Sequence, residues 1–285
     1  MRKSDSLFLD IRGLRYHVRR WPRAGAPKMV LLHGWMDVSA SFQFMVDALR
    51  GEWDVYAPDW RGYGLTDWGK SDCYWFPDYL ADLDLLLQNI EEKPVKLVGH
   101  SLGGNVAALY AGVRPARVAK LVNLEGFGMQ ATRPEQAPKR YARWLEELRD
   151  PSRLRPYESF AALADRLQKS NGRLSRDQAE FLARHWGREE GGGVVLRGDP
   201  AHKIVNPVLY RYEEVRACWQ QVAAPVLWVD AEGSDTLKRL GLDPAQHAER
   251  RAAFRDLKYV TVRDAGHMLH HDQPEEVARL IEEFI

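Results

Sequence analysis

Residues 99–104 read Gly-His-Ser-Leu-Gly-Gly and stand between a short apolar run, Val95–Val98, and an Ala-rich stretch of helical character. A serine on a sharp strand-to-helix turn holds strained backbone angles. Side chains two positions away on either side would strike the neighbouring strand and helix, so glycine is required at both. Ser101 would then project above the C-terminal edge of a sheet, with a helix N-terminus behind it supplying positive potential. Such a hydroxyl needs a base. Asp264-Ala265-Gly266-His267-Met268-Leu269 follows one apolar run and precedes a helical segment, which puts His267 on a loop at the same edge. A neutral imidazole there can accept the serine proton. His270 and His271 are expected on the surface. A third signal is Leu31-Leu32-His33-Gly34-Trp35-Met36. A turn here would aim the backbone N–H of Trp35 at the same point as that of Leu102, giving an oxyanion hole with two donors. His33 is expected to tie this loop down by hydrogen bonds rather than serve as a second base.

Positioning these groups requires strands alternating with helices. Strands are expected at Leu7–Ile11, Leu14–Trp21, Met29–Leu32, Trp53–Ala57, Val95–Val98 and Val118–Leu124, with helices near Ser41–Leu49, Asp78–Ile90 and Leu102–Gly112. After Glu125 the rhythm breaks. From Gly126 to about Val222 the chain becomes rich in Arg and Glu with helical periodicity, as at Tyr141, Trp144, Leu145 and Leu148, and Gly191-Gly192-Gly193 reads as a flexible loop. The earlier rhythm returns at Pro225–Val229, a helix near Gln246–Phe254, a strand at Tyr259–Val262 and a helix over Pro274–Ile285. The pattern predicts an α/β domain made of residues 1–125 and 223–285, interrupted by a helical cap over 126–222.

These motifs resemble the α/β-hydrolase superfamily over nearly the whole chain. The resemblance is carried by His33-Gly34-Trp35, by Asp59-Trp60-Arg61-Gly62-Tyr63-Gly64-Leu65-Thr66, by the Ser101 turn and by Gly266-His267. Leu32-His33-Gly34-Trp35-Met36-Asp37 with Ser41-Phe42 is similar to the serine hydrolase-like branch and the pimeloyl-carrier esterase type. The resemblance implies a mostly parallel eight-stranded sheet with helices on both faces, a helical cap after the sixth strand, and an acid that orients His267. The usual family acid follows the seventh strand within G-x-x-D. Here that stretch reads Val229-Asp230-Ala231-Glu232-Gly233-Ser234-Asp235, so the expected aspartate falls on Ser234 and Asp235 serves only with a shift of one residue. The other candidate is Glu125, at the end of the sixth strand, where haloalkane dehalogenases carry theirs. Glu125 is preferred to Asp235.

Serine at the turn excludes the carboxylate chemistry of epoxide hydrolases and dehalogenases. The expected activity is hydrolysis of a carboxylic ester through an acyl-enzyme, with a thioesterase, a lactonase or a slowly reacting small-ligand binding protein as alternatives, and with no metal or cofactor. Trp35, Trp60, Tyr63 and Trp144 are the expected pocket walls. With 41 Lys and Arg against 40 Asp and Glu, the chain lacks the basic excess of a nucleic-acid binder. Residues 126–222 carry 17 Lys and Arg against 13 Asp and Glu, which leaves an acidic acyl carrier as a weaker expectation. No apolar leader-like run follows Met1, no run is long enough to span a membrane, and Cys73 and Cys218 form no motif, so a cytoplasmic chain is expected.

Overall fold

A computed structural model describes residues 1–151 and 153–285. Strands β1 (Asp5–Ile11) and β2 (Leu14–Trp21) pair antiparallel through the two-residue turn Arg12–Gly13, with φ of +50° and +77°. Positive φ at both positions matches the twist of the flanking strands, which accounts for a glycine there. The chain continues through β3 (Lys28–Leu32), α1 (Gln43–Ala48), β4 (Asp54–Pro58), α2 (Phe76–Ile90), β5 (Val95–His100), α3 (Leu102–Val113) and β6 (Val118–Leu124). Next come α4 (Ala137–Arg149), α5 (Phe160–Ser170), α6 (Arg176–Trp186), β7 (Gly187–Glu190), β8 (Gly193–Leu196) and α7 (Tyr212–Trp219). The chain then returns to the sheet with β9 (Val226–Ala231), α8 (Thr236–Arg239), α9 (Pro244–Arg251), β10 (Leu257–Val262), α10 (Leu269–Asp272) and α11 (Pro274–Phe284).

Eight strands form one sheet in the order β1-β2-β4-β3-β5-β6-β9-β10, parallel from β4 to β10. The central strands read as unbroken apolar runs because helices cover both faces. Alternate residues separate cleanly. Val30, Leu32, Leu97 and Leu121 face Leu83, Leu86, Val106 and Tyr110 of α2 and α3, whereas Met29, Leu31, Val98 and Val122 face Met45, Val46, Val277 and Ile281 of α1 and α11. β3 and β5 are neighbours, and the chain leaves β3 through α1 on one face towards β4 but leaves β5 through α3 on the other face towards β6. A crevice opens at the C-terminal ends of strands where the order reverses in this way. The loops after β3 and β5 flank it, and they carry Gly34, Trp35 and Ser101.

Residues 126–222, expected as mostly helical, hold α4 to α7 and one pair of strands that the sequence pattern did not mark. β7 and β8 form an antiparallel hairpin, and Gly191 and Gly192, expected as a loose loop, are its turn, with φ of +61° and +82°. Tyr157 extends the pairing through reciprocal 2.7 Å backbone bonds with Val194. Leu163, Leu167, Leu174, Leu182 and Val194 close a small core of their own beneath α5 and α6. The strands escape notice in the sequence because Gly-Arg-Glu-Glu lacks the apolar alternation that marks a half-buried strand.

Candidate active site

Ser101 sits at φ +52° and ψ −115°, between the last residue of β5 and the first of α3. The glycines around it have no room for a side chain. A Cβ on Gly99 would lie 2.4 Å from the carbonyl oxygen of Gly103, and one on Gly103 would lie 2.0 Å from that of Leu32. The turn is thus wedged between its own helix and strand β3. The Ser101 N–H bonds the Leu124 carbonyl at 2.8 Å, fixing the serine against the end of β6.

One residue further along β6, Glu125 takes a left-handed conformation, φ +57°. Such a backbone is strained for a glutamate and persists only where neighbours hold it. Asn123 does so: its carboxamide accepts the Gly126 N–H and donates to the Gly126 carbonyl, both at 2.9 Å, closing the turn around Glu125. The buried Glu125 carboxylate receives the Ala231 N–H on Oε1 at 2.8 Å and the Ser234 hydroxyl on Oε2 at 2.5 Å. Oε2 also lies 2.9 Å from Nδ1 of His267. Across the ring, Nε2 of His267 lies 3.1 Å from Ser101 Oγ. A carboxylate only accepts, so Nδ1 carries the proton and Nε2 turns its lone pair to the serine. Asp235 is far from this arrangement in character: its side chain is 70% exposed, pairs with Arg239 at 2.9 Å and leads into α8.

The His267 loop is itself anchored. His100 donates from Nε2 to the His267 carbonyl at 2.7 Å, and the Gly266 N–H bonds Asp272 at 2.7 Å. His33 donates from Nδ1 to the Gly34 carbonyl at 2.8 Å and accepts the Trp60 N–H on Nε2 at 2.9 Å, which binds the loop after β3 to that after β4. Burial drives its pKa down to about 4, so it stays neutral and keeps both bonds. Gly34 packs on Ser101: a Cβ there would stand 3.3 Å from that of the serine. Beside it, the Trp35 and Leu102 amides have no protein acceptor among the described residues. Two donors left free beside a serine hydroxyl are suited to receiving a negative oxygen.

A family model for the alpha/beta hydrolase fold matches residues 27–274. The chain belongs to the α/β-hydrolase fold family. A serine hydrolase-like protein of Danio rerio is 28% identical over 273 residues, covering 93% of this chain and 82% of that protein. A serine hydrolase-like protein of Dictyostelium discoideum is 24% identical, covering 96% of this chain and 79% of that protein. The thioesterase domain from the curacin biosynthetic pathway superposes with a TM-score of 0.88, covering 98% of this chain and 99% of that one at 22% identity, a likeness of fold.

In this α/β hydrolase the aromatic residues expected as pocket walls divide. Trp35 is 54% exposed beside the crevice, with its ring N–H 3.4 Å from the His202 carbonyl, and Trp144 is half-buried on α4. Trp60 and Tyr63 are not walls. Trp60 is wholly buried and donates to the His33 carbonyl, and Tyr63 stacks on His202 at 3.8 Å between ring centres. The core needs large flat groups where the loops after β3 and β4 meet, and it takes both. His270 and His271 also depart from expectation, because both are buried. α10 turns inward, so that His270 stacks near His100 and Phe42 while His271 bonds the Ser41 hydroxyl and carbonyl. Asp37, His100 and His270 form the one group among the described residues whose potential metal-ligating atoms lie within 4.8 Å of one another. No helix is long and apolar enough to cross a membrane among the described residues. Asn123 and Ser234 were missed in the sequence, although Ser234 occupies the register where the family places an aspartate.

Proposed function

We propose that this enzyme hydrolyses a carboxylic ester of a small or acyl-chain substrate, with Ser101 as nucleophile, His267 as base and then acid, and Glu125 as the orienting carboxylate. The observation that carries the reading is the unbroken path from Ser101 Oγ to His267 Nε2 at 3.1 Å and from His267 Nδ1 to Glu125 Oε2 at 2.9 Å. Ser101 Oγ attacks the acyl carbon as its proton passes to Nε2, and the carbonyl oxygen becomes an oxyanion received by the Trp35 and Leu102 amides. Collapse of this intermediate breaks the ester bond. The departing alkoxide takes the proton from Nε2, leaving an acyl-serine. A water then gives its proton to Nε2 and attacks the acyl carbon, and the second collapse returns that proton to Ser101 as the acid leaves. Glu125 keeps the imidazole in the required tautomer and stabilises the imidazolium formed in each half. The chemistry assigned to these residues needs no metal or cofactor.

Residues 1–125 and 223–285 form the catalytic base in this reading, and 126–222 a cap that shapes the acyl site. Two unpaired cysteines fit a cytoplasmic enzyme. The test is labelling by a serine-directed phosphonate, followed by p-nitrophenyl esters of graded chain length beside lactones and CoA- or carrier-linked thioesters. Labelling lost in Ser101→Ala and turnover highest on oxygen esters support the reading. Preference for thioesters would move it to that bond with the same residues, and absence of labelling would leave a binding protein.

A further inference from the structure

A second constellation lies away from Ser101, where the sheet edge meets the segment between β6 and β9. A cavity of about 90 Å³ is lined there by Arg19 of β2, Arg184 and His185 of α6, and Arg197 just past β8, with Ser39 and Asp59 at its floor. None of the three arginines has a carboxylate oxygen within 4.0 Å among the described residues. Arg19 gives one N–H to the Ser4 hydroxyl, Arg197 donates from Nε to the Gly187 carbonyl, and Arg184 lies over the Phe160 ring. The Nε of Arg19 is buried without a partner. The one acid in the wall, Asp59, makes no direct contact with the arginines and accepts from His17 at 2.7 Å, from the Leu65 N–H at 2.9 Å and from the Ser39 N–H at 2.6 Å, although its charge still reaches Arg19 and Arg197.

Burial weakens the hold of Arg19 and Arg197 on their protons, and His185 is pushed down by burial and by both arginines. Asp59 is the one anion set against three guanidinium groups, so the cluster keeps a net positive charge partly removed from water, a desolvation cost that a bound anion relieves. The guanidinium group offers paired donors spaced for the oxygens of phosphate or sulfate. The volume of about 90 Å³ admits one tetrahedral ion.

We propose that this cavity binds a small tetrahedral oxyanion, free or as the end group of a larger ligand, held between Arg19 on the sheet and Arg184 and Arg197 on the segment between β6 and β9. Arg19 lies on β2, which β4 and β3 separate from β5, so the site stands about three strand spacings, ~14 Å, from the Ser101 strand. An ion there joins two parts of the chain that otherwise oppose like charges across the cavity. The site is independent of the esterase reading.

The experiment compares inorganic phosphate with sodium chloride at matched ionic strength, read by thermal unfolding and calorimetric titration. Phosphate is expected to raise the melting temperature by at least about 2 °C at saturation, a response lost in Arg197→Gln and in the exposed Arg184→Gln, which leaves the fold intact. No shift beyond that of chloride, or an equal shift in wild type and Arg184→Gln, overturns the proposal. The source is separated by a pair of esters that differ in a terminal phosphate. A KM raised by Arg184→Gln for the phosphorylated ester alone assigns the anion to the substrate, and unchanged KM values with phosphate binding retained in the wild type assign it to the free ion.

Discussion

The hydroxyl of Ser234 donates to Oε2 of Glu125 at 2.5 Å, the same oxygen that faces Nδ1 of His267. Ser234 stands where the usual family pattern expects the acid itself. The β9 loop therefore supports a carboxylate delivered from β6 instead of supplying one. Glu125→Gln is expected to lower the acylation rate by about two to four orders of magnitude, as an imidazole loses its tautomer-fixing partner. Asp235→Asn should change it less than about twofold. Pre-steady-state burst kinetics on a p-nitrophenyl ester measure both.

The same contact allows a rescue. Ser234→Asp in the Glu125→Gln background places a carboxylate beside the His267 ring from the other strand and should recover at least about tenfold of the lost rate. Ser234→Asp alone sets two carboxylates together, and mutual repulsion should add a titration to the acid limb of the pH–rate profile. A double variant no faster than Glu125→Gln would deny that the two positions are interchangeable.

Ser101→Ala and His267→Ala should fall to a common floor, and the double variant should lie no lower, because groups that act as one unit do not add their losses. Far-ultraviolet dichroism and melting temperature should stay near wild type in Ser101→Ala. A double variant several orders below either single one would mean two independent contributions.

Gly103→Ala tests the wedge between the nucleophile turn and β3. Its Cβ would enter to 2.0 Å of the Leu32 carbonyl oxygen, and backbone yields less readily than a side chain end. A loss of about 3 kcal/mol or more in urea unfolding is expected, since overpacking of a tight interior costs roughly 1–3 kcal/mol even where side chains can move. Gly172→Ala, with open space around it, serves as the comparison and should stay within about 1 kcal/mol.

Acid stability follows from the buried imidazoles. Burial lowers His33 and His271 to about 4, His202 to about 3, and His100 and His270 well below 6.5. Unfolded, each titrates near 6.5, so between these values the unfolded chain binds more protons and stability rises with pH. The contribution is whole above about 6.5 and disappears as the pH falls towards 4. Asp37, raised by burial to about 7, and Asp230, raised by burial to about 6, act in the opposite sense, holding protons in the folded state that the unfolded state releases. These five histidines outweigh the two carboxylates, and stability should fall by on the order of 4 kcal/mol per pH unit near pH 5.5. Urea titrations from pH 7 to 5 measure this slope, and a flat or inverted profile would show that the imidazoles are not kept neutral.

The sheet and the serine turn were legible because each leaves a strong local mark: apolar strand runs, and glycines at fixed offsets from Ser101. The meeting of Glu125 with His267 was readable only as a choice between two acids, since it depends on a left-handed backbone at one residue and on an Asn123 clamp that no spacing announces. The β7–β8 hairpin was hidden by its charged sequence. Trp60 and Tyr63 misled because an aromatic residue near a crevice serves equally as wall or as packing, and only the fit with His33 and His202 decides. His270 and His271 were set at the surface on polarity alone, whereas α10 buries them with Phe42 and Ser41 as neighbours.

The hydrogen bond from Ser101 to Leu124 joins the nucleophile's strand directly to the one that delivers Glu125. Both residues thus precede the segment between β6 and β9, and their spacing is set by adjacent strands in register rather than across it. If residues 126–222 shape the acyl site as proposed, substitutions there would change what the enzyme accepts and leave the spacing of Ser101 and Glu125 as the two strands set it.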